Sequence, residues 1–150
     1  YGTPFFRLPK RAAPELELEC DIPNQELLFL GDGRRVYRIL ENLYMNTKKY
    51  AMPGTRVYVA LQDQEEGIVF SMKNVSAAKL NITPEELTER FVRGDSSRST
   101  EGSGLGLSIA KSLTELMQGT FQIFLDGDLF HVEVMFPHYQ EQQEEMEKEV

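Results

Sequence analysis

The chain has 150 residues, 41% of them hydrophobic and 27% charged, which suits one soluble domain with a real core. The net charge is −8, with five glutamates against one lysine in residues 141–150, and no dense Lys/Arg run occurs, which argues against nucleic acid as the main partner. The one cysteine, Cys20, excludes an internal disulfide and any multi-cysteine metal site, and no apolar run reaches the roughly 20 residues that span a bilayer.

The chain starts at Tyr1 without a signal peptide, so it reads as a piece of something larger, from a reducing compartment, with any membrane anchor outside it. Residues 1–14 hold Pro4, Pro9 and Pro14 among three cations and suit an extended lead-in. Residues 15–137 carry the patterned elements and form the expected domain. Residues 138–150 form an acidic tail, expected to be frayed or disordered.

Glu15 to Ile22 alternates acid and apolar residues, the pattern of a half-buried strand, with Cys20 expected inside. Pro23-Asn24 turns the chain, and Glu26 to Leu30 is expected to return as a second strand. Asp32 is placed to cap a helix from Arg34 to Tyr50 whose apolar stripe is Val36, Ile39, Leu40 and Leu43. Met52-Pro53-Gly54 stops it. Thr55 to Leu61 and Gly67 to Met72 read as strands around a polar loop at Gln62 to Glu66.

Thr83-Pro84-Glu85-Glu86 combines a capping Thr, a Pro at the first helical position and a Glu at the third, so a short helix should run to about Arg90. Arg93 to Gly104 is polar and glycine-rich, a candidate mobile loop. Leu105 to Met117 is a long helix, with Leu105, Ile109, Leu113 and Leu116 expected on its buried side. Phe121 to Leu125 and Leu129 to Phe136 should pair as a hairpin across Asp126-Gly127.

Two segments carry chemistry. On the first long helix Asn42, Asn46 and Lys49 lie at i, i+4 and i+7 and share a face apart from the apolar stripe. An Asn carbonyl oxygen is a neutral hard ligand that suits Mg²⁺, an ion that borrows further oxygens from phosphates and water. Lys49 can neutralise phosphate as a point charge. The same residues could equally coat a solvated helix, although two mid-helix asparagines are a poor choice for that alone. In the second segment, Gly102, Gly104 and Gly106 allow close backbone approach just before a helix N-terminus, which favours an anion. Alternate glycines could also be a plain flexible turn. The segment lacks the Gly-Lys-Ser/Thr ending of a P-loop and the preceding apolar strand of a dinucleotide fold.

Asn42 to Tyr50 (Asn-Leu-x-x-Asn-x-x-Lys-Tyr), Glu89 to Asp95 (Glu-Arg-Phe-Val-Arg-Gly-Asp) and Gly102 to Lys111 (Gly-Ser-Gly-Leu-Gly-Leu-Ser-Ile-Ala-Lys) resemble the N, F and G2 boxes of bacterial sensor histidine kinases, in the family's order, from about Gly31 to Pro137. The resemblance implies the catalytic and ATP-binding domain, with the α/β Bergerat sandwich: a mixed, mostly antiparallel sheet with about three helices on one face and a flexible lid. By position it implies that Asn46 ligates Mg²⁺ and that Asn42, Lys49 and Tyr50 line the phosphate and ribose side. Phe91 would anchor the lid, and Arg98 would contact phosphate. Gly102, Gly104, Leu105, Gly106 and Leu107 would form the phosphate-facing edge. One box departs from the family's Asp-x-Gly-x-Gly: the matching residues are Asn74-Val75-Ser76-Ala77-Ala78. Asn74 still offers an acceptor to adenine, through a neutral hydrogen bond, and the loop after it is expected to follow a path of its own.

The family's acceptor histidine is missing, since His131 and His138 lack the acidic neighbour and His131 reads as a surface strand residue. The implied activity is therefore ATP-dependent transfer of the γ-phosphoryl to a histidine on a separate helical dimerisation domain, then relay to a response-regulator receiver domain. The implied setting is the cytoplasmic part of a membrane-anchored sensor. Two other readings stand beside it. A gyrase- or chaperone-type hydrolase needs a Glu four residues before the metal Asn, but Asn42 is there and Glu41 is turned about 100° away. A non-catalytic module that binds nucleotide poorly and controls a phosphatase is the other.

Overall fold

The computed structural model describes residues 15–89 and 105–139. The elements run β1 (Glu17–Asp21), α1 (Gly33–Tyr50), β2 (Arg56–Gln64), β3 (Gly67–Val75), α2 (Pro84–Glu89), α3 (Leu105–Leu116), β4 (Thr120–Asp126) and β5 (Leu129–Phe136). The strands form one sheet in the order β1-β2-β3-β5-β4. β1 runs parallel to β2 and every other neighbour is antiparallel.

One sheet face is covered. Val57 and Val59 of β2, Met72 of β3, Val132 and Val134 of β5 and Ile123 of β4 join Ile39 and Leu43 of α1 and Leu107 and Ala110 of α3 in a single core. Period-2 alternation on the strands and the apolar stripe of α1 meet there. The opposite face stays open. Register sets Tyr58, Lys73, His131 and Phe124 side by side across four strands, with Tyr58 and Phe124 largely exposed.

The helix starts follow their capping residues. Asp32 Oδ1 accepts from the Arg34 N–H at 2.9 Å, and Thr83 Oγ1 accepts from the Glu86 N–H at 3.2 Å. The Asp32 N–H also donates to Met117 Sδ at 3.4 Å, tying the start of α1 to the end of α3. The two hairpins are tighter than the sequence suggests. β2 and β3 pair to the very end, Gln64 opposite Gly67, leaving Glu65-Glu66 as the turn, and Gly127 (φ +58°) with Asp128 turns β4 into β5.

Four expectations are corrected. Cys20 is exposed, not buried: β1 is an edge strand, and burial falls away from Leu16 along it until Ile22 is 53% exposed. Glu26 to Leu30 is not a strand; only Phe29 pairs, in a single bridge to His138. The fully buried residues of α3 are Leu107, Ala110 and Thr114, about 140° round the helix from the expected stripe, of which Leu113 still packs against the core whereas Leu116 is 57% exposed. Small side chains let α3 approach closely, and Thr114 satisfies its hydroxyl on the Ala110 carbonyl at 2.7 Å. Finally, β3 continues to Val75, so Asn74 lies within the strand and not beyond it. On the tail side of the expected boundary, His138 pairs with Phe29 and the Tyr139 N–H donates to the Leu28 carbonyl at 3.5 Å.

Candidate functional site

α1 and α3 lie against each other, and their motif residues touch. A methyl carbon on Gly106 would sit 3.5 Å from Asn42 Oδ1 and 3.7 Å from the Asn42 carbonyl oxygen. Asn42 Nδ2 is buried there without a hydrogen-bond partner. An unpaired buried amide donor is costly, on the order of 1–3 kcal/mol, unless something else completes it.

Below this contact a cleft of about 160 Å³ opens between the helices and the sheet. That is roughly ten times the space one water needs. Asn46 and Tyr50, one turn apart, form its α1 wall, and Leu107 closes it from α3. Asn74 enters from β3. It holds a helix-facing position, in line with Met72 and paired in register with Phe130 of β5, and it is only 2% exposed. Its Oδ1 has no hydrogen-bond partner. A buried carbonyl oxygen without a partner, on a residue that lines a cleft, is an acceptor awaiting a donor.

The chain after β3 is pinned on several sides. The Ser76 N–H donates to the Asp128 carbonyl at 2.7 Å, the Ala77 N–H to the Tyr50 carbonyl at 2.8 Å, and the Met52 N–H to the Val75 carbonyl at 2.8 Å. The Ser76 hydroxyl donates to the Ala78 carbonyl at 2.7 Å. Ser76, Ala77 and Ala78 do this without left-handed backbone, since Gln118 is the one non-glycine with positive φ among the described residues. Small residues replace glycine because the loop is held by hydrogen bonds instead of by unusual dihedrals.

Asn46, Tyr50, Asn74 and Leu107 therefore share one cleft, and Asn42 and Gly106 meet just beside it. Leu105 opens α3 and is partly buried. Lys49 is exposed outside the cleft lining, its ammonium 5.4 Å from the centre of the Tyr50 ring, a cation–π distance. Phe91, Arg98, Gly102 and Gly104 fall outside the described residues, as does the whole Arg93 to Gly104 loop. Sequence reasoning missed the apolar wall: Leu80 and Ile82 before α2, Leu87 within it, and Phe130. Only the apolar alternation of Leu80 and Ile82 hinted at it.

The lining is mostly neutral, with Lys79 the one Lys, Arg, Asp or Glu among the described residues that form it. Apolar walls with a buried, unpaired acceptor suit a nucleobase. The unpaired Asn42 Nδ2 and the first turn of α3 suit an anion alongside. Asn46 offers an amide oxygen to a hard cation that phosphate would otherwise coordinate. The residues present fit ATP with Mg²⁺.

Fold and cleft together define a nucleotide-binding domain of the Bergerat type. Residues 31–147 match the family described as histidine kinase-, DNA gyrase B-, and HSP90-like ATPase, and the chain belongs to that family, on its sensor histidine kinase branch. It is 33% identical over 103 residues to the sensor protein GtcS of Aneurinibacillus migulanus, covering 69% of this chain and 28% of that one. It is 34% identical over 111 residues to the heme sensor protein HssS of Staphylococcus aureus, covering 74% and 24%. The chain thus spans about a quarter of the length of the curated relatives it matches. The mycobacterial sensor histidine kinase MprB shares the fold, with a TM-score of 0.68 at 24% identity over 86% of this chain and 88% of that one.

Proposed function

We propose that this domain binds Mg·ATP in the cleft and presents the γ-phosphoryl group to a histidine on a helical dimerisation domain of the full-length protein. One observation carries the reading: Asn74, whose buried Oδ1 has no partner, lines a cleft together with Asn46 and Tyr50. Phosphoryl transfer needs positioning and charge stabilisation more than covalent groups. The chain's own residues divide that work. Asn74 orients the base against Phe130 and Ile82. Asn42 Nδ2 donates to phosphate, and Asn46 holds the ion, which supplies neutralisation of phosphate oxygens when bound. Lys49, exposed beside the Tyr50 ring, is proposed to neutralise phosphate as a point charge. Arg98, Phe91, Gly102 and Gly104 are proposed to complete the phosphate edge and the lid.

The acceptor lies elsewhere, so relay to a response-regulator receiver domain, and a cytoplasmic place within a membrane-anchored sensor, belong to the full-length protein. Among the described residues no helix is long and apolar enough to cross a membrane.

Calorimetric titration of the chain with ATP, with and without Mg²⁺, tests the reading. Saturable binding that needs Mg²⁺ and is lost in Asn46→Ala supports it. Absence of binding at millimolar nucleotide overturns it and favours a regulatory module.

A further inference from the structure

We infer that Asn74 makes the base end of the cleft accept 6-oxo purines as well as 6-amino purines. The inference rests on the nucleotide-binding reading above and goes on to say which nucleotides the site takes.

Asn74 is 98% shielded from solvent, the complement of its 2% exposure, and its Oδ1 lacks a partner. It is the deepest polar side chain facing the cleft, buried more fully than Ser76. A primary amide is both acceptor and donor. Toward a 6-amino purine, Oδ1 accepts from the exocyclic amine. Toward a 6-oxo purine, Oδ1 accepts from the ring N1–H while Nδ2 donates to O6. Either edge can therefore be satisfied by the same side chain.

Discrimination requires something that penalises the wrong edge. A carboxylate at position 74 would do so, because it has only acceptors and would face O6 with a second oxygen. No carboxylate lines the cleft among the described residues. The Ser76 hydroxyl, the next most buried polar group in the lining, donates its proton to the Ala78 carbonyl. Leu80, Ile82 and Phe130 read shape and stacking, which purines share.

The test titrates the full chain, in Mg²⁺, with ATP, ITP, GTP and the purine riboside triphosphate that has no 6-substituent. The expected result is ATP and ITP dissociation constants within about fivefold, less than the 1.4 kcal/mol that a tenfold ratio represents. Asn74→Asp should shift the ratio of the ITP to the ATP dissociation constant to about tenfold or more, whatever happens to the absolute affinities. Wild-type protein that prefers ATP to ITP by about a hundredfold overturns the inference and leaves nucleotide binding intact. A purine riboside triphosphate that binds as well as ATP also overturns it, because the 6-position is then not read. If no nucleotide binds, the reading beneath it fails and takes it along. Should Asn74→Asp not fold, the wild-type series decides alone.

Discussion

Gly106 of α3 lies against Asn42 of α1, its missing side chain leaving just enough room for the Asn42 amide oxygen at van der Waals distance. The contact joins the two segments whose chemistry points to phosphate, and it separates structural from ligand effects. A methyl group at 3.5 Å is tolerated, and alanine is the better helix former by up to about 1 kcal/mol. Gly106→Ala should therefore unfold at the same or a slightly higher urea concentration. If phosphate approaches this backbone, the same variant should bind ATP at least about tenfold more weakly, a loss of 1.4 kcal/mol.

Asn74 carries an opposite balance. Its unpaired acceptor costs the unliganded fold on the order of 1 kcal/mol or more. Asn74→Leu, apolar and of the same branched outline although bulkier, should raise the thermal midpoint while abolishing base recognition. A variant both less stable and weaker in binding would show that Asn74 is a structural residue.

These readings came from the sequence with uneven success, and the reason is the range of the signal. Helix α1, the Thr83 cap of α2 and the Gly127 hairpin were legible because a few neighbouring residues set each one. The resemblance to a known family then placed Asn46, Tyr50, Asn74 and Leu107 in the same site, and the structure brings them to one cleft. The buried side of α3 was not legible. Its large residues, Leu105, Ile109, Leu113 and Leu116, suggested one side, whereas close packing selected Leu107 and the small Ala110 and Thr114. The apolar wall of Leu80, Leu87 and Phe130 was also hidden, because it comes from three segments that only the sheet brings together.

Acid should loosen the fold partly through His131. Burial pushes its imidazole below the ordinary histidine range, Lys73 pushes the same way, and Glu133 opposes them. Its Nε2 is 3.2 Å from Glu133 Oε1, the contact through which Glu133 acts. The unfolded chain therefore takes up the proton more readily. This stability is complete above the ordinary value of about 6.5 and is lost as pH falls through the lower folded value. Thermal midpoints should drop across that window, and His131→Gln should flatten part of the slope. A ring that titrates at or above the ordinary value by NMR would contradict this.

Gly67 offers a steric test of the β3–β5 pairing. A Cβ there would meet the Phe136 carbonyl oxygen, an immovable backbone atom, and the Met135 sulfur at 2.7 Å. Gly67→Ala should destabilise by about 1–3 kcal/mol, as overpacking does, measured by urea denaturation with nucleotide absent.

Asp32→Ala should cost about 1 kcal/mol, the usual loss for a helix cap, because Arg34 N–H then has no side-chain acceptor. The loss should be the same with and without ATP, since the cap lies at the far end of α1 from Asn46.

Among the described residues β1 leaves one border of the sheet unpaired, yet Glu17, Glu19 and Asp21 alternate along it and all are exposed. A second copy docking there edge to edge would bring like charges into repeated opposition. Nature often guards such borders this way, and the acidic fringe should keep concentrated solutions of this domain from joining sheet to sheet at neutral pH.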